Sequence, residues 1–429
     1  MKQLFRRLGW LQTCLLALAL LFTGNTWAVI DGITGPTFNL TARADYVTTA
    51  DGFMVYNWGY ANGAAGTMQY PGPTLIVNQG DTVTVNLTNT LPAPVSIVFP
   101  GQSGIVPTGG VNGLITKEAA ANNGTVSYRF VATNPGTYMY HSGTQPALQV
   151  EMGLVGALIV RPAVANPSKQ AYTHANTVFD REHLFLLTEI DPLVHSAVEA
   201  GQYATVDTSN FHPVLWFING RNAPDTMLDA GIPWMPTQPY NAMPRMHPGE
   251  KLLLRVVAAG RDMHPFHTHG NNTLMLARDG RMLESAPGAG PDLASSDFTI
   301  KTIPGQTYDS IFEWTGKGVG FDIYGSVPHT CNTPAGFDSV TKEWCPDHGK
   351  PLPVILPNQL DLTYGDSYSG SPFLGQFGVL PPGHPGLNVS AGYFHMWHSH
   401  NEREIVNNDI FPGGMMTMVI IEPFSVSIP

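Results

Sequence analysis

The sequence predicts an all-β protein of two domains, and its composition carries most of that prediction. The 429 residues include 45 Gly and 36 Pro, spread evenly along the chain, which is typical of many short strands joined by turns. Charged residues make up only 12%, too few for a coiled coil or a helical bundle. Apolar residues reach 43%, which argues against intrinsic disorder. A net charge of −11 argues against nucleic-acid binding.

The first predicted domain covers residues 29–165. Residues 82–87 and 125–130 alternate apolar and polar side chains with a period of two, as a half-buried strand does. Residues 136–141 form another predicted strand, which ends at a histidine. Turn signals such as Asn123-Gly124 separate these segments.

The second predicted domain covers residues 184–429 and repeats the same strand–turn–strand pattern. Residues 166–183 are rich in Ala, Asn, Thr and Ser and are predicted to be a linker. Residues 318–390 lack periodicity and contain many Gly and Pro. So long an irregular stretch indicates an insertion that serves function rather than the core.

The amino terminus has the features of an export signal over residues 1–28. Lys2, Arg6 and Arg7 precede an apolar run over 11–22, and small residues lead to a cleavage site after Ala28. The general and the twin-arginine export routes both stay open. No later apolar run approaches the length of a membrane span. We therefore expect a periplasmic or secreted protein.

Two cysteines remain after the predicted cleavage, Cys331 and Cys345. In an exported protein they are expected to form a disulfide. A metal site with the flanking His329 and His348 is the alternative. Without such a site, these two histidines and His384 are expected to be surface residues.

Histidines cluster at three places, and this pattern points to a metal. His141 ends a predicted strand, and the other two clusters read HPFHTHG over 264–270 and HMWHSH over 395–400. Residues i and i+2 of a strand point to one face, so each His-x-His forms a same-face pair. Imidazole suits Cu, Zn, Fe and Ni. Solvated or hydrogen-bonded histidines are the alternative.

These motifs resemble the multicopper oxidase family in its two-domain form. The resemblance covers nearly all of residues 36–320 and 391–423, and HPFHTHG is its most specific element. It implies a cupredoxin-like Greek-key β-barrel for each domain, copper as the cofactor, and copper held between domains. Two-domain relatives form trimers, so it also implies a homotrimer.

The departures from the family pattern fall on copper ligands. Where the family has its first His-x-His, this chain has Val98 and Pro100, and Gly143 replaces the partner of His141. The family's type 1 copper cysteine is replaced by Ser399, and Glu404 stands at the nominal position of a type 1 histidine. A blue copper site needs two imidazoles and a thiolate, so the sequence predicts that this site is lost.

The predicted metal ligands are the histidines that remain. They would hold one copper or two, and His395 is a further candidate ligand. His264 and either Met415 or Met416 would be ligands that remain from the type 1 site. Met415, Met416 and Met418 otherwise fit a strand with one face in the core. Asp262, Glu402 and Glu404 fit solvated or strand-end acids, and the alternative is that they relay protons or orient an imidazole. The predicted ligands are His141, His264, His267, His269, His398 and His400.

Together these features predict an exported copper-binding oxidoreductase with a reduced histidine site. A small molecule or a metal ion is the expected substrate. The alternatives are a copper carrier and a scaffold on a cupredoxin fold that has lost catalysis.

Overall fold

The computed structural model describes residues 30–325, 327–351 and 393–428, together with the backbone of 370–372. The export signal, His384 and most of the predicted insertion lie outside the described residues. Within the described part, strands dominate and helices are short, which confirms the all-β prediction.

The first domain is a sandwich of two sheets. One has the strand order β1-β5-β12-β11 and the other β4-β3-β2-β6-β10-β7, while β8 and β9 form a separate hairpin. Strand β6 buries every second residue, as the alternating sequence predicts. The strands are β1 Ile33–Thr34, β2 Thr37–Thr48, β3 Met54–Asn62, β4 Met68–Gln69, β5 Leu75–Asn78, β6 Thr82–Asn89, β7 Val106–Gly109, β8 Val111–Asn112, β9 Lys117–Glu118, β10 Gly124–Val131, β11 Gly136–His141 and β12 Val155–Arg161.

The second domain is a sandwich as well. Its sheets have the orders β14-β13-β16-β22-β18-β19, with β20 beside β18, and β15-β25-β24-β17-β21, with β23 beside β24. The strands are β13 Arg181–Ile190, β14 Leu215–Ile218, β15 Arg245–Met246, β16 Lys251–Ala258, β17 His264–Thr268, β18 Thr273–Arg278, β19 Arg281–Met282, β20 Ser295–Asp297, β21 Thr299–Thr302, β22 Thr307–Glu313, β23 Gly370–Pro372, β24 Tyr393–Ser399 and β25 Met416–Ile421.

Short helices connect the strands. Helix Pro192–Glu199 begins after Asp191, whose side chain accepts a hydrogen bond from the Leu193 amide at 2.9 Å. Its buried Val194 and Val198 join the core of the first domain. The other helical segments are Pro146–Gln149, Ala175–Thr177, Asp225–Met227, Cys345–Asp347 and Glu402–Ile405. None of the helices in the described part of the chain is long and apolar enough to cross a membrane.

The two sandwiches share buried surface. One apolar cluster joins Met139 and Ile159 of the first sandwich to Leu186 and Val257 of the second. The predicted linker takes part in the packing, because Tyr172 is buried and its hydroxyl donates to Asp309 at 2.5 Å. The connection is therefore packed against the second domain.

Candidate metal centre

Strands β17 and β24 bring the two His-x-His motifs together. They are antiparallel neighbours, and their register places His267 directly opposite His398. Along β24, residues 393, 395, 397 and 399 are buried while 394, 396 and 398 are partly exposed. The apolar side chains Phe266 and Trp397 fill the core of the sandwich. The odd positions of β17 and the even positions of β24 therefore share the outer face, where both pairs lie.

Four imidazoles converge on that face. The ring centroid of His267 lies 4.6 Å from that of His269, 5.6 Å from that of His398 and 5.0 Å from that of His400. The Nε2 atoms of His269 and His398 are 3.2 Å apart. His267 is buried, whereas His400 is exposed. The cluster is thus open to solvent on one side.

The hydrogen bonds leave ring nitrogens directed into the cluster. The His267 Nδ1 atom lies 3.1 Å from the Thr299 hydroxyl, and its buried Nε2 has no hydrogen-bond partner. The His398 Nδ1–H donates to the Ser399 carbonyl at 2.7 Å, so Nε2 keeps its lone pair. Burial and the neighbouring imidazoles lower the pKa of His267 to about 3. A buried, neutral imidazole whose Nε2 atom has no hydrogen-bond partner suits a copper ligand, so the cluster fits the metal.

His264 lies on the other face of β17. His264 is two residues before Phe266 on β17, so both side chains point to the inner face of the strand, away from His267 and His269. Both of its nitrogens bond to carboxylates: Nδ1 to Glu404 at 2.9 Å and Nε2 to Glu189 at 3.0 Å. Burial alone would lower the pKa of His264, but these two partners raise it to about 9.

The predicted remnant of the type 1 site is therefore a buried polar network. Ser399 donates to the same Glu404 oxygen at 2.5 Å, and Met415 packs beside it in the core. Glu404 is 2% exposed, so its interpretation as a solvated acid is wrong, and its contact with His264 Nδ1 fits the alternative of an acid that orients an imidazole. Sequence reasoning gave Glu189 no role, because only the fold brings it from β13 to His264.

His141 stands apart from the four imidazoles in this chain. Among the described residues its ring makes no ring contact with them, and its Nδ1–H donates to the Ser142 carbonyl at 2.8 Å. Val98, at the site of a missing ligand, forms a β-bridge with His141. A Cβ atom on Gly143 would lie 2.6 Å from the Val98 Cγ1 atom. The first domain thus presents a single imidazole.

His395 lies inside the second sandwich. It is fully buried, and neither ring nitrogen has a hydrogen-bond partner. Its ring packs on Tyr393 at 4.9 Å and on Trp314 at 5.5 Å. Burial lowers its pKa to about 3, with a further contribution from His269. Like Trp397, it occupies an odd-numbered position of β24, whose side chains point into the sandwich. It therefore lies on the opposite face of the strand from the four imidazoles.

The structure also places the methionines, two of the acids and the two cysteines considered from the sequence. Met415 packs in the core of the second sandwich. Met416 is buried opposite His398 and Met418 is half-buried, so β25 buries residues of both faces, against the expectation of one. Asp262 and Glu402 are exposed. Cys331 and Cys345 form the predicted disulfide, with Cα atoms 5.6 Å apart.

Comparison with known proteins supports the family resemblance. Residues 58–164 match the multicopper oxidase family model. A copper resistance protein A homolog from Pseudomonas syringae pv. tomato is 31% identical over 164 residues, 37% of this chain and 24% of that protein. Multicopper oxidase MCE from Talaromyces pinophilus is 40% identical over 96 residues, 22% of this chain and 15% of that protein. The matched segments thus span a quarter or less of these relatives.

Solved structures share the fold. The blue copper oxidase from Nitrosomonas europaea superposes with a TM-score of 0.55 and 19% identity, over 89% of this chain and 85% of that one. The predicted cupredoxin-like architecture is thereby confirmed. Residues 58–164 are thus similar to a multicopper oxidase domain, and the chain as a whole shares the fold of solved multicopper oxidases. Copper is the cofactor that this similarity to multicopper oxidases implies.

Proposed function

We propose that this multicopper-oxidase-like protein is an exported oxidoreductase. Its copper site would have fewer histidine ligands than the family pattern, and it would have no blue copper. The observation that carries the proposal is the convergence of His267, His269, His398 and His400, with ring centroids 4.6–5.6 Å apart. Four imidazoles suffice for one copper or two. The two paired strands hold these ligands on a rigid platform.

Copper held there would supply one-electron chemistry to a small molecule or a metal ion that reaches it directly. The half-exposed His398 and exposed His400 leave the approach open. His398 is oriented by its Nδ1–H bond to a backbone carbonyl, and His267 by Thr299. Such second contacts fix which nitrogen faces the metal. Ser399 offers no thiolate, so electrons have no type 1 entry point.

Copper analysis of the purified, copper-loaded protein tests this proposal. We expect one or two coppers per chain without an intense blue absorption. The double variant His267→Ala/His398→Ala should lose this copper, while the exposed control His212→Ala should keep it. Near-zero copper in the wild type would instead support a scaffold, and an intense blue colour would contradict the assignment of Ser399.

A copper carrier is the second candidate function. It is favoured by the ion-paired state of His264, because a carrier needs no electron entry site. Oxygen uptake by the copper-loaded protein with a phenol or a metal ion separates the two. Turnover that disappears in His267→Ala/His398→Ala supports the oxidoreductase, whereas copper release to a chelator without turnover supports the carrier.

We further propose that His141 completes the site between neighbouring protomers of a trimer. Two observations support this arrangement. The His141 Nδ1–H bond to the Ser142 carbonyl makes Nε2 the ligand nitrogen, and among the described residues the His141 ring contacts none of the four imidazoles of its own chain. Sedimentation of the copper-loaded protein should then give a trimer, and His141→Ala should weaken copper binding. A monomer whose copper content is insensitive to His141→Ala would contradict it.

A further inference from the structure

We propose that Asp322, His329, Glu343 and His348 form a second metal site, for a divalent transition ion of the zinc class. The four residues lie in the described part of the insertion, in a segment with little regular structure. Each offers one ligand atom, and these atoms lie within 4.8 Å of one another. The site is separate from the four imidazoles on β17 and β24 and does not depend on the function proposed for them.

The spacing of the donor atoms fits a small four-coordinate ion. The Glu343 Oε2 atom lies 3.0 Å from His329 Nε2, and its Oε1 atom lies 3.0 Å from His348 Nδ1. The Asp322 Oδ1 atom lies 3.6 Å from His329 Nε2, and its Oδ2 atom lies 3.4 Å from His348 Nδ1. Bonds of about 2.0–2.1 Å in a tetrahedron place neighbouring donors roughly 3.3–3.4 Å apart. The nearest nitrogen–oxygen contacts bracket that value, and one donor atom of each residue lies within 4.8 Å of the other three.

Hydrogen bonds to the backbone already orient the ligands. The His329 Nδ1–H donates to the Val327 carbonyl at 2.7 Å, which leaves Nε2 as the ligand nitrogen. The Asp322 carboxylate accepts from the amides of Tyr324 at 2.9 Å and Gly349 at 2.8 Å. The side chain of His329 is 4% exposed, so its prediction as a surface residue is wrong.

The charge of the cluster calls for a cation. Glu343 is 1% exposed and Asp322 is 6% exposed, and buried carboxylates require a partner of opposite charge. In the described part of the chain, no lysine or arginine pairs with either one, and Lys350 pairs with Asp347 instead at 2.9 Å. A bound divalent ion would balance both carboxylates while the two imidazoles stay neutral. Two protonated histidines are the competing source of charge.

The disulfide ties the ligand segments together. Cys331 follows His329 by two residues, and Cys345 follows Glu343 by two. The bridge thus fixes the spacing of the two segments before any ion binds, which reduces the entropy lost on binding. It also removes both thiolates, so the alternative of a metal site built from the two cysteines and the flanking histidines is wrong.

The donor set selects the type of ion. Two imidazoles exclude calcium and magnesium, which prefer oxygen ligands alone. The absence of a thiolate or thioether among the four ligands disfavours copper(I). Two nitrogens and two carboxylate oxygens in near-tetrahedral spacing are typical of zinc.

Zinc titration of the full chain tests the proposal. The chelator-treated protein is titrated calorimetrically with Zn²⁺ in the His267→Ala/His398→Ala background, where the imidazole cluster is disabled. We expect one Zn²⁺ per chain. Loss of a residue that only orients a ligand costs 10–100-fold in affinity, so His329→Gln/His348→Gln should weaken binding more than about 100-fold. The exposed control His212→Gln should leave it unchanged.

Cobalt provides a second measurement that does not depend on the fold of a double variant. Co²⁺ in the proposed site should give the intense visible bands of four-coordinate geometry, and the single, nearly isosteric Glu343→Gln should weaken them. Zinc binding that persists unchanged in His329→Gln/His348→Gln would overturn the proposal. A chelator-treated protein with an intact disulfide that binds neither ion would also overturn it, and would assign the cluster to protonated histidines.

Discussion

At position 264, an imidazole that the family pattern assigns to copper is instead the centre of an ion-pair network. The ring lies between Glu189 and Glu404, and all three side chains are buried. A buried charge is stabilising only when its partners are close and well oriented. Where the family pattern has a copper ligand, this chain has a protonated imidazole between two carboxylates. The stabilisation that it gives therefore depends on pH.

We expect this network to lose its stabilising effect above neutral pH. The pKa of His264 is about 9 in the folded state, against about 6.5 when unfolded. The contribution is thus complete below pH ~6.5 and is lost as the pH rises through ~9, with a magnitude of roughly 3 kcal/mol. Urea unfolding of wild type and His264→Gln should show a stability difference that shrinks over this range. The control His212→Gln should follow the wild type at every pH.

Restoring blue copper should require two substitutions at this site. In Ser399→Cys alone, the His264 Nδ1 atom still faces the Glu404 carboxylate, so a second imidazole is missing and no intense blue colour is expected. The double variant Ser399→Cys/Glu404→His supplies both a thiolate and an imidazole around the same point. Glu189 would then orient His264 through Nε2. Blue absorption in the copper-loaded single variant would contradict this account.

The sequence predicted which histidines share a strand face better than it predicted their surroundings. Period-two alternation was sufficient to pair His267 with His269 and His398 with His400, because strand geometry fixes the face of every second residue. The same alternation places His264, which the sequence assigned to the remnant of the type 1 site, on the opposite face of β17 from His267. The role of Glu189 could not be predicted, since it depends on a contact between residues 75 positions apart.

At the scale of elements, the turn after β17 positions the cluster. Gly270 adopts a φ of +100°, and a Cβ atom there would lie 2.8 Å from the buried ring of His395. Both features are compatible only with glycine. The turn therefore fixes the position of His269, the residue before Gly270, and also packs closely against His395 of β24.

Gly270→Ala should accordingly destabilise the fold and reduce copper binding together. We expect a loss of about 2–3 kcal/mol, since left-handed strain and the clash with His395 add. Gly305→Ala is the matched control, because Gly305 has a φ of +84° with open space around it. The control should cost only about 1 kcal/mol and keep its copper. Urea unfolding and metal analysis give both quantities, and equal losses in the two variants would contradict a role for the His395 contact.

At the scale of the whole molecule, a buried charge network joins the two sandwiches. Arg161 at the end of β12 pairs with Glu182 at the start of β13, and Glu182 also accepts from Arg255 at 3.0 Å. Arg255 reaches Asp309 at 3.4 Å, and Thr137 of the first sandwich donates to the same oxygen at 2.5 Å. Arg161 lies just before the predicted linker, 166–183, and Glu182 lies at its end. Composition indicates the linker but does not show that a charge network forms around it.

Removing the central carboxylate should therefore weaken the contact between the domains. Burial alone would raise the pKa of Glu182, but the guanidinium groups of Arg255 and Arg161 outweigh it and lower that pKa. Glu182→Gln would remove the charged partner of Arg161 and leave Arg255 with Asp309 alone, at a cost of about 3–5 kcal/mol. The control Arg245→Gln breaks a pair whose arginine is 33% exposed, and should cost only about 1 kcal/mol.

The pH dependence of that cost separates the ion pair from simple packing. A lowered folded pKa means that the Glu182 contribution is present above the ordinary pKa of a glutamate and is lost as the pH falls through the folded value. Wild type should thus lose stability on acidification more steeply than Glu182→Gln. Calorimetry should show one transition for the wild type and two for the variant, since each sandwich keeps its own apolar core. A single transition with the wild-type acid slope in Glu182→Gln would mean that apolar packing alone couples the domains.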